Sequence, residues 1–120
     1  MYYIPCIANM DRQLLKGHLP VIILGLLAEE PRHGYAIAEE LKRRCSSAFE
    51  LGEGTLYPLL YRLEDKGQIK SKWVRLTNGK ERRVYQITPA GKRTIAAHQK
   101  DWNRLAEAFR NILGEEWAKA

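Results

Sequence analysis

The sequence predicts a mainly α-helical fold carrying one small β-hairpin. Three observations lead there: apolar residues at helical spacing on both sides of Pro31, a shift to β-prone composition after Gly67, and an Asn-Gly pair between two β-prone runs. With 120 residues the chain can build one domain with its own core, and is too short for two.

In chain order, Asp11 to Lys16 are expected to form a helical turn that Gly17 stops. Pro20 then fits the first turn of a helix, where its missing N–H would have had no partner, and that helix runs to about Ala28. Pro31 ends it. His33-Gly34 lead into a second helix with Ile37, Ala38, Leu41 and Cys45 on one face and Glu39, Glu40, Lys42 and Arg43 on the other. Ser46 to Gly54 is a connection. The segment GTLYPLLYRLEDKG supplies a third helix, with Leu56, Leu59, Leu60 and Leu63 inward and Gly67 as its stop. Gln68 to Leu76 and Arg82 to Ile87 read as strands joined by Thr77-Asn-Gly-Lys80, with Asn78-Gly79 suited to a type I′ turn. Thr88 caps a last helix with Pro89 at N1, running to about Leu113.

Composition narrows the function. The balance of 20 Lys plus Arg against 14 Asp plus Glu gives +6 and a pI near 9.5, which suits an anionic partner such as nucleic acid or an acidic membrane surface. The run Lys42-Arg43-Arg44 reads equally well as a solvated helix face. Cys6 and Cys45 form no CxxC pattern, and His18, His33 and His98 are scattered, so neither a metal site, a cofactor nor a catalytic constellation is expected. Leu19 to Ala28 is about half the length of a bilayer span, and MYYIPCIAN lacks the basic start of a signal peptide, so a cytoplasmic protein is expected. Residues 1–9 read as a loose arm or as an over-long gene model, with Met10 as a second plausible start.

Three short helices and a basic hairpin form a winged helix-turn-helix, in which the third helix enters the major groove and the hairpin lies against the backbone or minor groove. Pro58 requires that the third helix start between Gly52 and Thr55, so that the proline falls near the unpaired N–H groups of the first turn, which form an anion site. With the leucines inward, Tyr57, Pro58, Tyr61 and Arg62 share the outer face, where tyrosine can donate to phosphate and arginine can contact phosphate or guanine. A tyrosine beside leucines can equally belong to the core, Tyr57 more readily than Tyr61. The hairpin gathers Lys70, Lys72, Arg75, Lys80, Arg82 and Arg83 around its turn, for phosphate contact or as a solvated edge. On the last helix Ile95, His98, Trp102, Leu105, Phe109 and Ile112 recur at 3, 4, 3, 4, 3, a seam that needs a second surface: a partner copy, or the Leu19–Leu27 helix of the same chain. A dimer would present its third helices to half-sites roughly 34 Å apart on an inverted-repeat duplex.

Together, His33-Gly-Tyr35, GTLYPLLYRLEDKG, Ile69 with Trp73, Arg83 with Tyr85, and Ile87-Thr-Pro-Ala-Gly91 resemble the PadR family of transcriptional regulators, over Leu14 to about Leu113. The resemblance implies a homodimeric winged-helix repressor of the short subclass, its single C-terminal helix packing on the partner. It implies DNA contacts by Thr55, Tyr57, Pro58, Tyr61 and Arg62, and by the wing cations Lys80, Arg82 and Arg83. It also implies a small aromatic effector at the dimer interface near Trp102, which is on its own account a packing residue of the seam. The expected layout is an arm (1–10), a winged-helix domain (11–88), a dimerisation helix (89–113) and a tail (114–120). A winged helix that binds protein instead of DNA is the other reading, and an acidic or apolar strip at Tyr57 to Arg62 would favour it.

Overall fold

The computed structural model describes residues 12–45 and 53–116. The expected arm, Cys6, the connection from Ser46 to Gly52, the side chain of Cys45 and the last four residues of the tail lie outside them. Helix α1 spans Arg12–Glu29, strand β1 Arg32–His33, helix α2 Gly34–Cys45, helix α3 Glu53–Asp65, strand β2 Ile69–Arg75, strand β3 Glu81–Ile87 and helix α4 Pro89–Leu113. The expected order of helices and hairpin is thus observed, with one strand more.

Helix α1 corrects the sequence reading. It is continuous through Gly17, and Pro20 lies in its interior, where a proline costs about 3 kcal/mol through a lost backbone bond and a ring clash. Tertiary contacts offset that cost. Leu19 is buried, His18 Nδ1 meets His98 Nε2 of α4 at 3.1 Å, and burying a leucine contributes about 1.5–3 kcal/mol. A break at Gly17 would forfeit both.

The core is made by Leu19, Ile23, Leu24 and Leu27 of α1, Ile37 and Leu41 of α2, the four leucines of α3, and Ile69, Tyr85 and Ile87 of the sheet. The sheet is antiparallel in the order β1-β3-β2, so β1 covers the inner part of β3 and leaves its outer part unpaired on that side. Two residues with no periodicity gave the sequence no signal for β1; its pairing of Arg32 with Tyr85 and His33 with Val84 is wholly a tertiary matter.

The hairpin turn also differs from expectation. Gly79 N–H donates to the Leu76 carbonyl (3.0 Å) and Leu76 N–H to the Lys80 carbonyl (2.7 Å), so Thr77 and Asn78 are the central turn residues and Gly79 follows at φ 84°. That is a three-residue loop closed by a left-handed glycine, in place of a two-residue type I′ turn. Asn78 Oδ1 reinforces it by accepting the Lys80 N–H at 2.9 Å.

Helix α4 starts as expected. The Thr88 hydroxyl accepts the Gly91 N–H (3.2 Å) and donates to the Gly67 carbonyl (2.6 Å), tying the helix start to the end of α3. Gly91 is packed so closely that a Cβ there would collide with the Gln68 carbonyl oxygen and the Ile87 side chain. From this anchor 25 residues extend about 37 Å, further than α1 can cover.

Candidate nucleic-acid interface

Helix α3 divides cleanly. Leu56, Leu59, Leu60 and Leu63 are buried, while Thr55, Tyr57, Pro58, Tyr61 and Arg62 are exposed. The helix begins at Glu53, inside the expected window, yet Pro58 is its sixth residue and lies beyond the first turn. Its missing N–H therefore leaves the Gly54 carbonyl without a helical donor. Gly54 is exposed, so its carbonyl can turn to water, and the buried leucines hold the helix through the defect. Gly67, at φ 74°, ends the helix, with its own N–H bonded to the Glu64 carbonyl and that of Gln68 to the Leu63 carbonyl.

Tyr61 is 72 % exposed and Tyr57 42 %, and the difference has a cause. The Tyr57 ring lies on Gly34 at the start of α2, where a Cβ would stand 2.8 Å from the phenol oxygen. Gly34 is thus the seat of Tyr57. A groove lined by Tyr57, Tyr61, Glu64, Asp65, Arg83 and Tyr85 runs between α3 and the wing. Buried Tyr85 forms part of its lining, and desolvation raises its pKa against the opposing pull of Arg83.

Register separates the wing cations. Trp73 pairs with Arg83 and Ser71 with Tyr85, so these share one face, whereas Lys72 with Val84 and Val74 with Arg82 fall on the other. The six hairpin cations are therefore not one surface. Lys80 stands exposed in the turn, Lys72 is exposed on the second face, and Arg75 lies 3.7 Å from Glu81. Arg82 reaches across to β1 and donates to His33 Nε2 at 2.8 Å, for which the neutral imidazole is required; burial, then the Arg82 charge, lowers the His33 pKa. Arg83 Nε donates to Ser71 Oγ (2.7 Å), Ser71 Oγ to Glu64 Oε2 (2.7 Å), and Arg83 Nη2 approaches Glu64 Oε1 at 3.5 Å. The Arg83 guanidinium also stands 5.9 Å over the Trp73 ring.

Sequence reasoning passed over several residues of this region as site candidates. Tyr35 (67 % exposed) and Trp73 (63 %) border a second groove with His33, Tyr57, Arg82 and Arg83. Alternation along β2 could have found Trp73: it continues the inward series Ile69, Ser71 beyond the point where the core ends. For His33, Glu64 and Ser71 no spacing signal exists, because their partners are 49, 19 and 12 positions away.

The cationic run of α2 is turned to internal use. Arg43 and Arg44 both bind Glu40, Arg44 also binds Glu29 (2.7 Å), and Arg32 joins Glu29 at 2.9 Å. Hydrogen bonds from Arg43, then Arg44, hold the Glu40 carboxyl down at about 2.

On α4 the expected seam splits. Ile95 packs against the core of its own chain, and His98 meets His18, so this end of the helix is covered by α1. Trp102 touches the His18 ring edge-on at 6.0 Å and is 51 % exposed; Leu105 (48 %), Phe109 (39 %) and Ile112 (82 %) continue outward. Trp102, Leu105, Ala106 and Phe109 surround a dent of about 30 Å³, against the roughly 150 Å³ in which an engineered apolar cavity accepts benzene. Among the described residues, a single chain therefore has no preformed aromatic site there. Among the described residues no group of three or more metal-ligating side chains occurs, and no helix is long and apolar enough to cross a membrane.

Comparison with known proteins agrees with this geometry. Residues 23–97 match the "Transcriptional regulator PadR-like family". The chain is 37 % identical over 103 residues to the transcriptional regulator Rv3488 of Mycobacterium tuberculosis, covering 86 % of this chain and 90 % of the relative. An uncharacterised protein of Lysinibacillus sphaericus is 36 % identical over 94 residues, covering 78 % and 86 %. Among solved structures, a PadR-like transcription factor from Bacteroides fragilis superposes with a TM-score of 0.73 at 34 % identity, covering 87 % of this chain and 98 % of that one. A PadR family regulator from Eggerthella lenta gives 0.74 at 29 % identity, covering 91 % and 93 %.

Proposed function

The chain belongs to the PadR-like family of transcriptional regulators, and from that premise we propose that it acts in the cytoplasm as a homodimeric repressor of an inverted-repeat operator. One observation carries the reading: Tyr57 and Tyr61 of the outer strip of α3 line a groove whose other side is formed by Arg83 and Tyr85 of the wing, with Arg62 exposed on the same strip. Arg62 and Tyr61 would address base edges and phosphates in the major groove, with Thr55, Tyr57 and Pro58 along the same strip. Lys80 at the wing tip, with Arg82, Arg83 and Lys72 behind it, would bind the flanking backbone.

Dimerisation would use the outer part of α4. Trp102, Leu105, Phe109 and Ile112 are large, apolar and exposed together, which a helix in water sustains poorly and a partner helix resolves. Ile95 contributes only by bracing α4 on its own domain. A flat aromatic effector would enter between paired Trp102 rings once two copies meet, and would release DNA by favouring a dimer whose α3 helices no longer match the groove spacing.

A salt titration tests the reading. Affinity for duplex DNA should fall about 10³-fold or more between 50 and 200 mM salt, as expected when six or more phosphates are neutralised. A winged helix that docks on protein would bind duplex weakly at every salt concentration.

A further inference from the structure

The carboxylate of Glu64 is out of place on a surface meant for a polyanion. It lines the α3–wing groove beside Tyr57, Tyr61 and Arg83, with its side chain 31 % exposed, where it would repel phosphate. It is also one end of a three-member chain built from three elements: Glu64 of α3, Ser71 of β2 and Arg83 of β3. Ser71 uses its single proton toward Glu64 and its lone pair toward Arg83, so the two bonds depend on each other. Arg83 has Nε on Ser71, Nη2 toward Glu64 and its plane by Trp73, while Nη1 takes part in neither bond.

We propose that Glu64 is a specificity-determining positioning residue, which acts through Ser71 to fix Arg83, and so makes the wing's phosphate contact depend on where α3 sits on the bases. The proposal rests on the DNA-binding reading above. A freely rotating arginine follows phosphate wherever the backbone lies, and adds affinity to every sequence alike. An arginine locked to α3 reaches phosphate only when the helix is in one register and the backbone has one shape, which is how a phosphate contact comes to carry sequence information.

The test compares binding to an operator duplex, selected by the wild-type protein from a random-sequence pool, with binding to a scrambled duplex of equal length. Glu64→Gln should bind the scrambled duplex as well or better and the operator about tenfold more weakly, the order expected for a hydrogen bond to a charged group. Ser71→Ala should do the same, Ser71→Thr should restore the preference, and in an Arg83→Ala background Glu64→Gln should no longer change the ratio. If Glu64→Gln fails to fold, the Ser71 pair in both backgrounds decides. Equal effects on both duplexes, or an undiminished effect without Arg83, would overturn the proposal. A wild-type protein that selects no sequence defeats the DNA-binding reading instead; a selective wild type whose Glu64→Gln and Ser71→Ala variants stay equally selective defeats this inference alone.

Discussion

Two surfaces of this molecule leave large aromatic side chains in water, and they do so differently. Around the α3–wing groove the exposed rings of Tyr35, Tyr57, Tyr61 and Trp73 are interleaved with Arg83, Arg82, Glu64 and His33, and hydrogen bonds hold the charged groups. Along the outer part of α4, Trp102, Leu105, Phe109 and Ile112 form an apolar stripe. A surface of rings and arginines suits a partner that is charged, hydrated and stacked; a stripe of apolar residues suits another stripe of the same kind. Exposure alone would have grouped them. The chemistry between the rings separates a surface suited to the proposed nucleic-acid contact from one suited to the proposed self-association.

That contrast can be broken most forcefully on α4. Replacing Trp102 and Phe109 together by Ala should weaken self-association by about 100-fold or more, as for paired anchors in an interface centre, and ultracentrifugation at micromolar concentration should then show monomer. The melting temperature should fall and lose its dependence on protein concentration, since association no longer stabilises the folded chain. An unchanged sedimentation coefficient would return the stripe to the surface of one subunit.

Gly91→Ala attacks the joint between the two surfaces. Its Cβ would strike the Gln68 backbone, which cannot swing away, so a loss of about 1–3 kcal/mol of stability is expected in chemical denaturation. A denaturation midpoint equal to that of the wild type would mean that the start of α4 is looser than its packing indicates.

On the charged surface the effects are smaller and distinguish roles. Arg62→Ala should cost about 1–3 kcal/mol on the operator and much less on unrelated duplex, whereas Lys80→Ala should weaken both alike and reduce the salt slope by about one. Equal losses from both variants would erase the division between the reading helix and the wing tip.

Much of this was legible in the sequence because it is local. The leucine period of α3, the Thr88-Pro89 start of α4 and the glycine stop at Gly67 act within a turn or two of chain, and the structure has them where the residues indicate. The outer strip of α3 followed by subtraction once the leucines were assigned inward. What escaped depends on distant partners. Helix α1 runs through Gly17 and Pro20 because α4 packs beside it, β1 exists because β3 offers an edge, and Tyr57 is half covered because Gly34 leaves room for its ring. The hairpin cations looked like one cluster in sequence, whereas strand alternation starts Arg83 on one face and Arg82 with Lys72 on the other, and Arg82 rejoins Arg83 at the second groove only by reaching His33. Ile95 fitted the seam by spacing and the core by position, and only the packing of α4 on α1 separates the two.

In the proposed dimer, paired α4 helices would hold two α3 helices on the same side of one duplex. Binding should be measured on duplexes whose inverted half-sites are centred about 10 base pairs apart, and on others with about five base pairs inserted, which turns one half-site to the opposite face. A dimer held in this way should bind the first tightly and the second no better than unrelated DNA. Equal affinity for both spacings would contradict it.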